Sequence, residues 1–163
     1  MVRNADDGVL SAVEISIAGN IIDYAAKNTL NIDEEIERLF SGHLPENTSS
    51  VFDYDLFRED LDKAQTVLIL GDNAGKIVFD RILVEEIGGH KTIHYAVRGR
   101  PILNDATVED ARMCGMDRIA HVFSSGVASP GTILEECSDE FLKIFYDADL
   151  VLSKGQGNYE ALY

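Results

Sequence analysis

The chain has 163 residues, 45% of them hydrophobic and 26% charged, the proportions of a single globular domain. A formal net charge of -15 argues against nucleic acid or an anionic membrane surface as partner, since both need clustered Lys and Arg. Cys114 and Cys137 form no CxxC, excluding a disulfide framework or zinc knuckle, and neither a run of about 18 apolar residues nor a basic-then-apolar leader is present. These features imply a soluble, cytoplasmic chain with reduced thiols.

Residues 1 to 8 are polar and read as frayed. From Val9 to Asn28 the positions Val13, Ile17, Ile21, Ile22 and Ala25 recur at the three- and four-residue spacing of an amphipathic helix. Ala18-Gly19-Asn20 interrupts it with residues that weaken a helix interior. Asp33 to Phe40 reads as a second short helix, and Asp53-Tyr54-Asp55 opens a third that reaches Ala64. Residues 1–64 are thus expected to form a helical N-terminal segment, and residues 65–163 an α/β core.

The core begins at Thr66. Val67 to Leu70 is an unbroken branched apolar run, as in a strand covered on both faces, and Gly71 ends it. From Gly75 to Ile87 the spacing of Ile77, Val78, Arg81, Ile82 and Glu85 is helical, with Gly88-Gly89 as the stop. Thr92–Val97 reads as a second strand, ending at Arg98-Gly99-Arg100-Pro101. Thr107 and Asp110 resemble a capping box for a short helix that stops at Gly115. Ala120–Phe123 is a third strand, followed by Ser124-Ser125-Gly126. Thr132 and Glu135 again resemble a capping box, here opening a helix to Tyr146. Leu150–Leu152 is a fourth strand, followed by Lys154-Gly155-Gln156-Gly157-Asn158. This alternation predicts a mostly parallel, Rossmann-like sheet with helices on both faces.

Parallel strands bring their carboxyl ends to one edge, where open α/β sheets bind ligands. On that edge lie Asp72, Asn73, Asn104, Asp105, Ser124, Ser125 and Lys154. An acid and an amide side by side at 72 and 73 offer two hard oxygen donors for a divalent cation, although Asp72 equally suits the role of a helix cap. Oxygen donors without a His or Cys cluster favour Mg²⁺ or Mn²⁺ over zinc, and a lysine with hydroxyls suits a phosphate. A metal beside a phosphate site is what phosphoryl transfer to water requires.

Spacing removes several rivals. Gly71 to Gly75-Lys76 is one residue short of a P-loop, and Ile77 stands where Ser or Thr is needed. The first strand is not followed by GxGxxG, which also leaves an adenosylmethionine loop without support. A phosphoaspartyl phosphatase of the haloacid-dehalogenase type needs a second acid where Ala74 stands. His43, His90, His94 and His121 are scattered and read as surface or core residues.

Gly71-Asp72-Asn73-Ala74-Gly75, Asn104-Asp105-Ala106-Thr107, Ser124-Ser125-Gly126 and Lys154-Gly155-Gln156-Gly157-Asn158-Tyr159-Glu160 occur in this order. Together with Ala18-Gly19-Asn20 upstream, they resemble the damage-control metal-dependent phosphatases, the family that includes protein-glutamate methyltransferase-like members. The resemblance spans residues 14 to 163. It implies a hydrolase of small phosphorylated metabolites stimulated by Mn²⁺, Co²⁺ or Ni²⁺. Asp72, Asn73 and Asp105 would carry the metal, and Lys154 would face the phosphate. Asp72, Asp105 and Lys154 are then the catalytic set, and Asn20, Asn104, Ser124, Ser125, Gly126 and Asn158 line the substrate with Lys154. The chain departs from the family pattern at Lys76, where a glutamate is usual, with an expected cost in metal affinity. The family's further β-α unit after Asn-Tyr-Glu implies a core incomplete at its C-terminus, a fragment or truncated product. A weakly catalytic or non-catalytic phospho-ligand binding module is the alternative reading.

Overall fold

A computed structural model describes residues 7–27 and 53–163 of the chain. The second helix expected at Asp33–Phe40 lies outside the described residues. Four parallel strands, β1 (Thr66–Leu70), β2 (Thr92–Val97), β3 (His121–Ser124) and β4 (Leu150–Ser153), form one sheet in the order β3-β2-β1-β4. Among the described residues six α-helices accompany them: α1 (Gly8–Lys27), α2 (Tyr54–Lys63), α3 (Ile77–Gly88), α4 (Val108–Met113), α5 (Asp139–Asp147) and α6 (Gln156–Leu162). The α/β architecture expected from the strand-helix rhythm is therefore observed. No helix among the described residues is long and apolar enough to cross a membrane.

The sheet separates two cores. Val67, Ile69, Ile93, Tyr95 and Val97 point to one face, where Ala12 and Ile15 of α1, Leu61 of α2, and Leu83, Val84 and Ile87 of α3 cover them. Leu68, Leu70, Ala96 and Phe123 point to the other, against Phe141 and the flank of α5. Because β1 lies between β2 and β4 with helices on both sides, Val67 to Leu70 are all but fully buried. Removing each such side chain from water is worth about 1.5–3 kcal/mol, which is why an unbroken apolar run marks the central strand.

Several boundaries differ from the sequence expectation, each for a local reason. Asp7 is engaged rather than frayed, because its carboxylate accepts hydrogen bonds from the Val9 and Leu10 amides, at 3.1 Å each, at the start of α1. The stretch after Asn73 first makes a 3-10 turn, Ala74–Lys76, and only then the α-helix. The buried stripe of α3 is Ile77, Asp80, Leu83, Val84 and Ile87, whereas Val78 is exposed. Thr107 and Asp110 do form the expected capping box. Thr132 and Glu135 do not: residues Leu134–Glu136 make a 3-10 turn, and α5 starts at Asp139 with Ser138 as its cap, its hydroxyl accepting from the Phe141 amide at 3.2 Å. The Thr132 hydroxyl is drawn instead into a buried polar network, where it donates to Asn158.

Candidate functional site

The order β3-β2-β1-β4 means that the chain leaves β1 in one direction and returns on its other side. The gap between the carboxyl ends of β1 and β4 is therefore the topological switch point. Gly71 and Asp72 reach it from β1, and Lys154 and Gly155 from β4.

Gly155 adopts φ +86, and a Cβ on it would stand 2.3 Å from Cγ of Asp72. Only glycine supplies both that backbone angle and that approach, so the main chain of β4 walls one side of the Asp72 carboxylate. On the other side lies Lys76, whose ammonium donates to Asp72 Oδ2 at 2.5 Å. Both side chains are largely buried, 9% and 13% exposed. Asn73, not Asp72, occupies the N-cap position of the turn, and no side chain caps it.

Behind Asp72 the loop after β1 meets the loop after β2. The Ala74 amide donates to Asn104 O, the Ala106 amide donates to Asp72 O, and Asn73 and Asp105 pair in an isolated antiparallel bridge. This backbone clasp brings Asn73 Nδ2 to 3.4 Å from Asp105 Oδ1. The side chain of Asn104 points to solvent.

Arg98, read from the sequence only as the end of the second strand, organises the rest. It is 3% exposed, and its Nε donates to Asp105 Oδ2 at 2.7 Å. Nη1 donates to the Thr132 hydroxyl and Nη2 to Asn158 Oδ1, both at 3.0 Å. Asn158 is completely buried, and its Nδ2 donates to Gly71 O and Lys154 O. One guanidinium and one amide therefore join the segments that follow all four strands. A planar fork with several fixed donors suits such a hub, which a single ammonium cannot replace.

Lys154 turns inward. Its ammonium pairs with Asp80 of α3 and donates to the hydroxyl and carbonyl oxygens of Ser16 in α1, the hydroxyl at 2.5 Å. Asp80 is 1% exposed and also accepts from the Tyr95 hydroxyl at 2.7 Å. Burial, and then the neighbouring Asp80 carboxylate, push the Tyr95 phenol well above its usual range, so it remains a donor. A cleft of about 280 Å³ beside Lys154 is lined by apolar groups of Val13, Ile17, Phe57 and Leu152. Ser124 and Ser125 turn their hydroxyls to their own loop, accepting from the amides of Gly126 and Val127. Gly126 itself has φ +86 and lies beside Ser138. Asn20 falls within α1, and its side chain lies outside the described residues.

The expected site residues thus divide into groups. Asp72, Asn73 and Asp105 sit on two clasped loops, and Lys154 stands across the switch point with Asp80. Asn158 lies beneath both as an internal support. Arg98, Asp80 and Tyr95 were missed. Asp80 does carry a signal, a carboxylate set in the apolar stripe Ile77-Asp80-Val84-Ile87.

A model of the damage-control phosphatase ARMT1-like domain matches residues 2–163. The chain belongs to this family. Across 149 residues it is 48% identical to an uncharacterized protein of Methanocaldococcus jannaschii, covering 90% of this chain and 48% of that one. It is 36% identical to a damage-control phosphatase of Pyrococcus horikoshii, covering 93% and 52% of the two chains, and 37% identical to one of Archaeoglobus fulgidus, covering 99% and 56%. The crystal structure of a DUF89 family protein from Pyrococcus horikoshii superposes with a TM-score of 0.84 at 32% identity, over 98% of this chain and 55% of that one. The chain spans about half the length of these relatives.

Proposed function

We propose that the chain is a metal-dependent phosphatase of small phosphorylated metabolites, with its centre at the β1/β4 switch point. The observation that carries this reading is the clasp between Asn73 and Asp105, which holds one carboxylate and one amide, both sources of hard oxygen donors, on the loop that also carries Asp72 and on the loop against it. The donor set fits a divalent cation of the Mn²⁺, Co²⁺, Ni²⁺ or Mg²⁺ kind, and Asp72, Asn73 and Asp105 would hold it. Such an ion, when bound, polarises a phosphoryl oxygen and acidifies a water ligand.

The chain's own residues do the remainder. Arg98 holds Asp105 from behind through Oδ2 and leaves Oδ1 on the Asn73 side. Lys154 supplies a point charge for the phosphoryl oxygens once it exchanges an internal acceptor for them. The apolar cleft beside it suits the organic part of an ester. Damage-control phosphatase relatives support the activity class.

A second reading, a phospho-ligand binding module without turnover, is favoured by the internal pairing of Asp72, Asp80 and Asp105 with Lys76, Lys154 and Arg98. A panel of phosphate esters, assayed with Mn²⁺, Mg²⁺, Co²⁺ and Ni²⁺ after chelator treatment, separates the two. Turnover restored by one of these ions is expected. Ester binding with no phosphate release under any of them selects the second reading.

A further inference from the structure

His94 and His121 stand 27 residues apart in the sequence, where nothing links them. The parallel pairing of β2 with the edge strand β3 sets them opposite one another in register. Alternation along each strand then puts both side chains on the sheet face that carries Ala96 and Phe123. There the two Nδ1 atoms approach to 3.0 Å. Phe123, two residues after His121, holds the rings in place. His121 lies parallel to it, with 5.4 Å between centroids and 2° between planes, and His94 meets it edge-on at 6.2 Å. His94 is half-buried and His121 is exposed, so the pair is reachable from solvent.

When both imidazoles are neutral, one Nδ1 at this distance donates its proton to the other. Two nitrogens bound to a single ion at about 2.0–2.1 Å are themselves about 2.9–3.4 Å apart, depending on the angle at the metal. The observed separation is thus that of a chelating pair, and a turn of the rings, rather than a shift of a strand, aims both lone pairs at one ion. The proton of the donor ring moves to its own Nε2, so both ligands remain neutral imidazoles. Burial, and then the neighbouring His121, hold the His94 imidazole below its usual range, which favours the unprotonated form that a ligand must have. We propose that His94 and His121 form a two-imidazole site for a borderline divalent transition ion, Ni²⁺, Cu²⁺ or Zn²⁺, that staples β3 to β2. No third His, Cys, Asp or Glu joins them among the described residues, so water completes the shell. Imidazole nitrogen suits these ions, whereas Mg²⁺ and Mn²⁺ prefer oxygen. The site is separate from Asp72, Asn73 and Asp105, since His94 lies three residues before the carboxyl end of β2, about 10 Å along the strand.

The test titrates Ni²⁺ into tag-free wild type, His94→Gln, His121→Gln and Asp72→Asn by calorimetry, with Mg²⁺ in excess. Wild type and Asp72→Asn are expected to share one Ni²⁺ equivalent that each histidine variant binds at least ~10-fold more weakly. That equivalent should be lost on acidification from about pH 7.5 to about pH 5, as the imidazoles take up protons. Cu²⁺ in the same site should show nitrogen splitting in its paramagnetic resonance spectrum, absent from the histidine variants. Ni²⁺ should also raise the thermal midpoint of wild type more than that of His121→Gln, because a ligand stabilises the folded state that it occupies. Equal Ni²⁺ affinity in wild type and in whichever histidine variant folds overturns the site. So does wild type that binds no Ni²⁺, which leaves the pair as a hydrogen bond between strands. Loss of the Ni²⁺ equivalent in Asp72→Asn, with the histidine variants unchanged, overturns it as well and puts the ion at the clasp.

Discussion

The two edges of the sheet satisfy their carboxylates by different means. At the amino edge, Asp149 precedes β4 and accepts the backbone amides of Gln65 and Thr66 at 2.9 and 2.8 Å, in contact with solvent. At the carboxyl edge, Asp72, Asp80 and Asp105 are largely buried and paired with side-chain cations. Backbone amides cannot be withdrawn without unfolding a strand, so Asp149 is a fixture. A side-chain cation such as the Lys154 ammonium can be turned to a ligand's charge without withdrawing a backbone amide, whereas the Arg98 guanidinium is fixed by partners on several segments. Buried pairs also cost desolvation and are poor value as stability alone. Their concentration falls on the edge where open α/β sheets bind ligands.

The largest effect that would break this comparison is expected at Arg98. Arg98→Met strips Asp105 of a buried partner and removes donors from Thr132 and Asn158. Breaking a buried pair from one side typically costs about 3–5 kcal/mol, and chemical denaturation should report a loss of that size. Arg98→Lys should recover only part of it, because one ammonium cannot span three acceptors on three segments. A loss below about 1 kcal/mol, the range of a surface pair, would place the guanidinium outside the frame of the site.

A smaller effect is expected at Asp80. Asp80→Asn keeps the shape and leaves Lys154 its Ser16 acceptors, so the loss should be about 1.5–3 kcal/mol, the worth of a hydrogen bond to a charged group. If Lys154 serves a phosphate, the variant should change KM for a phosphate ester while Mn²⁺ affinity stays near that of wild type. An unchanged KM alongside the stability loss would make the Asp80–Lys154 pair a strut between α1, α3 and β4 and nothing more.

Much of this was legible in the residues. The run Val67–Leu70, the capping box at Thr107 and the alternation of elements are local signals, and local physics was enough for them. Thr132 with Glu135 satisfied the same local rule and still failed, because Asn158, distant in sequence, offered the hydroxyl a buried acceptor. Arg98 was passed over for a related reason: a charged residue at a strand end reads as solvated until the Thr132 and Asn158 segments fold over it. Lys154 was found by position but not by direction. The β4 terminus fixes where its Cα lies, whereas Asp80 on α3 decides where the ammonium goes.

The smallest effect belongs to the amino edge, where pH is the probe. The Thr66 amide, and then that of Gln65, hold the Asp149 carboxyl below its usual value near 3.8. On acidification the unfolded chain therefore takes up this proton before the folded one. The contribution of Asp149 is present above the unfolded value and is lost as pH falls through the folded one. Asp149→Asn keeps an acceptor oxygen but has no charge to lose. Wild type should be slightly the more stable at pH 5 to 7, and the difference should close between about pH 4 and pH 2, where both side chains are neutral. Urea unfolding midpoints for the pair across that range measure it. A gap that stays constant to pH 2 would mean that the amides hold the shape of the side chain rather than its charge. The two edges would then differ in burial, but not in how they use a carboxylate.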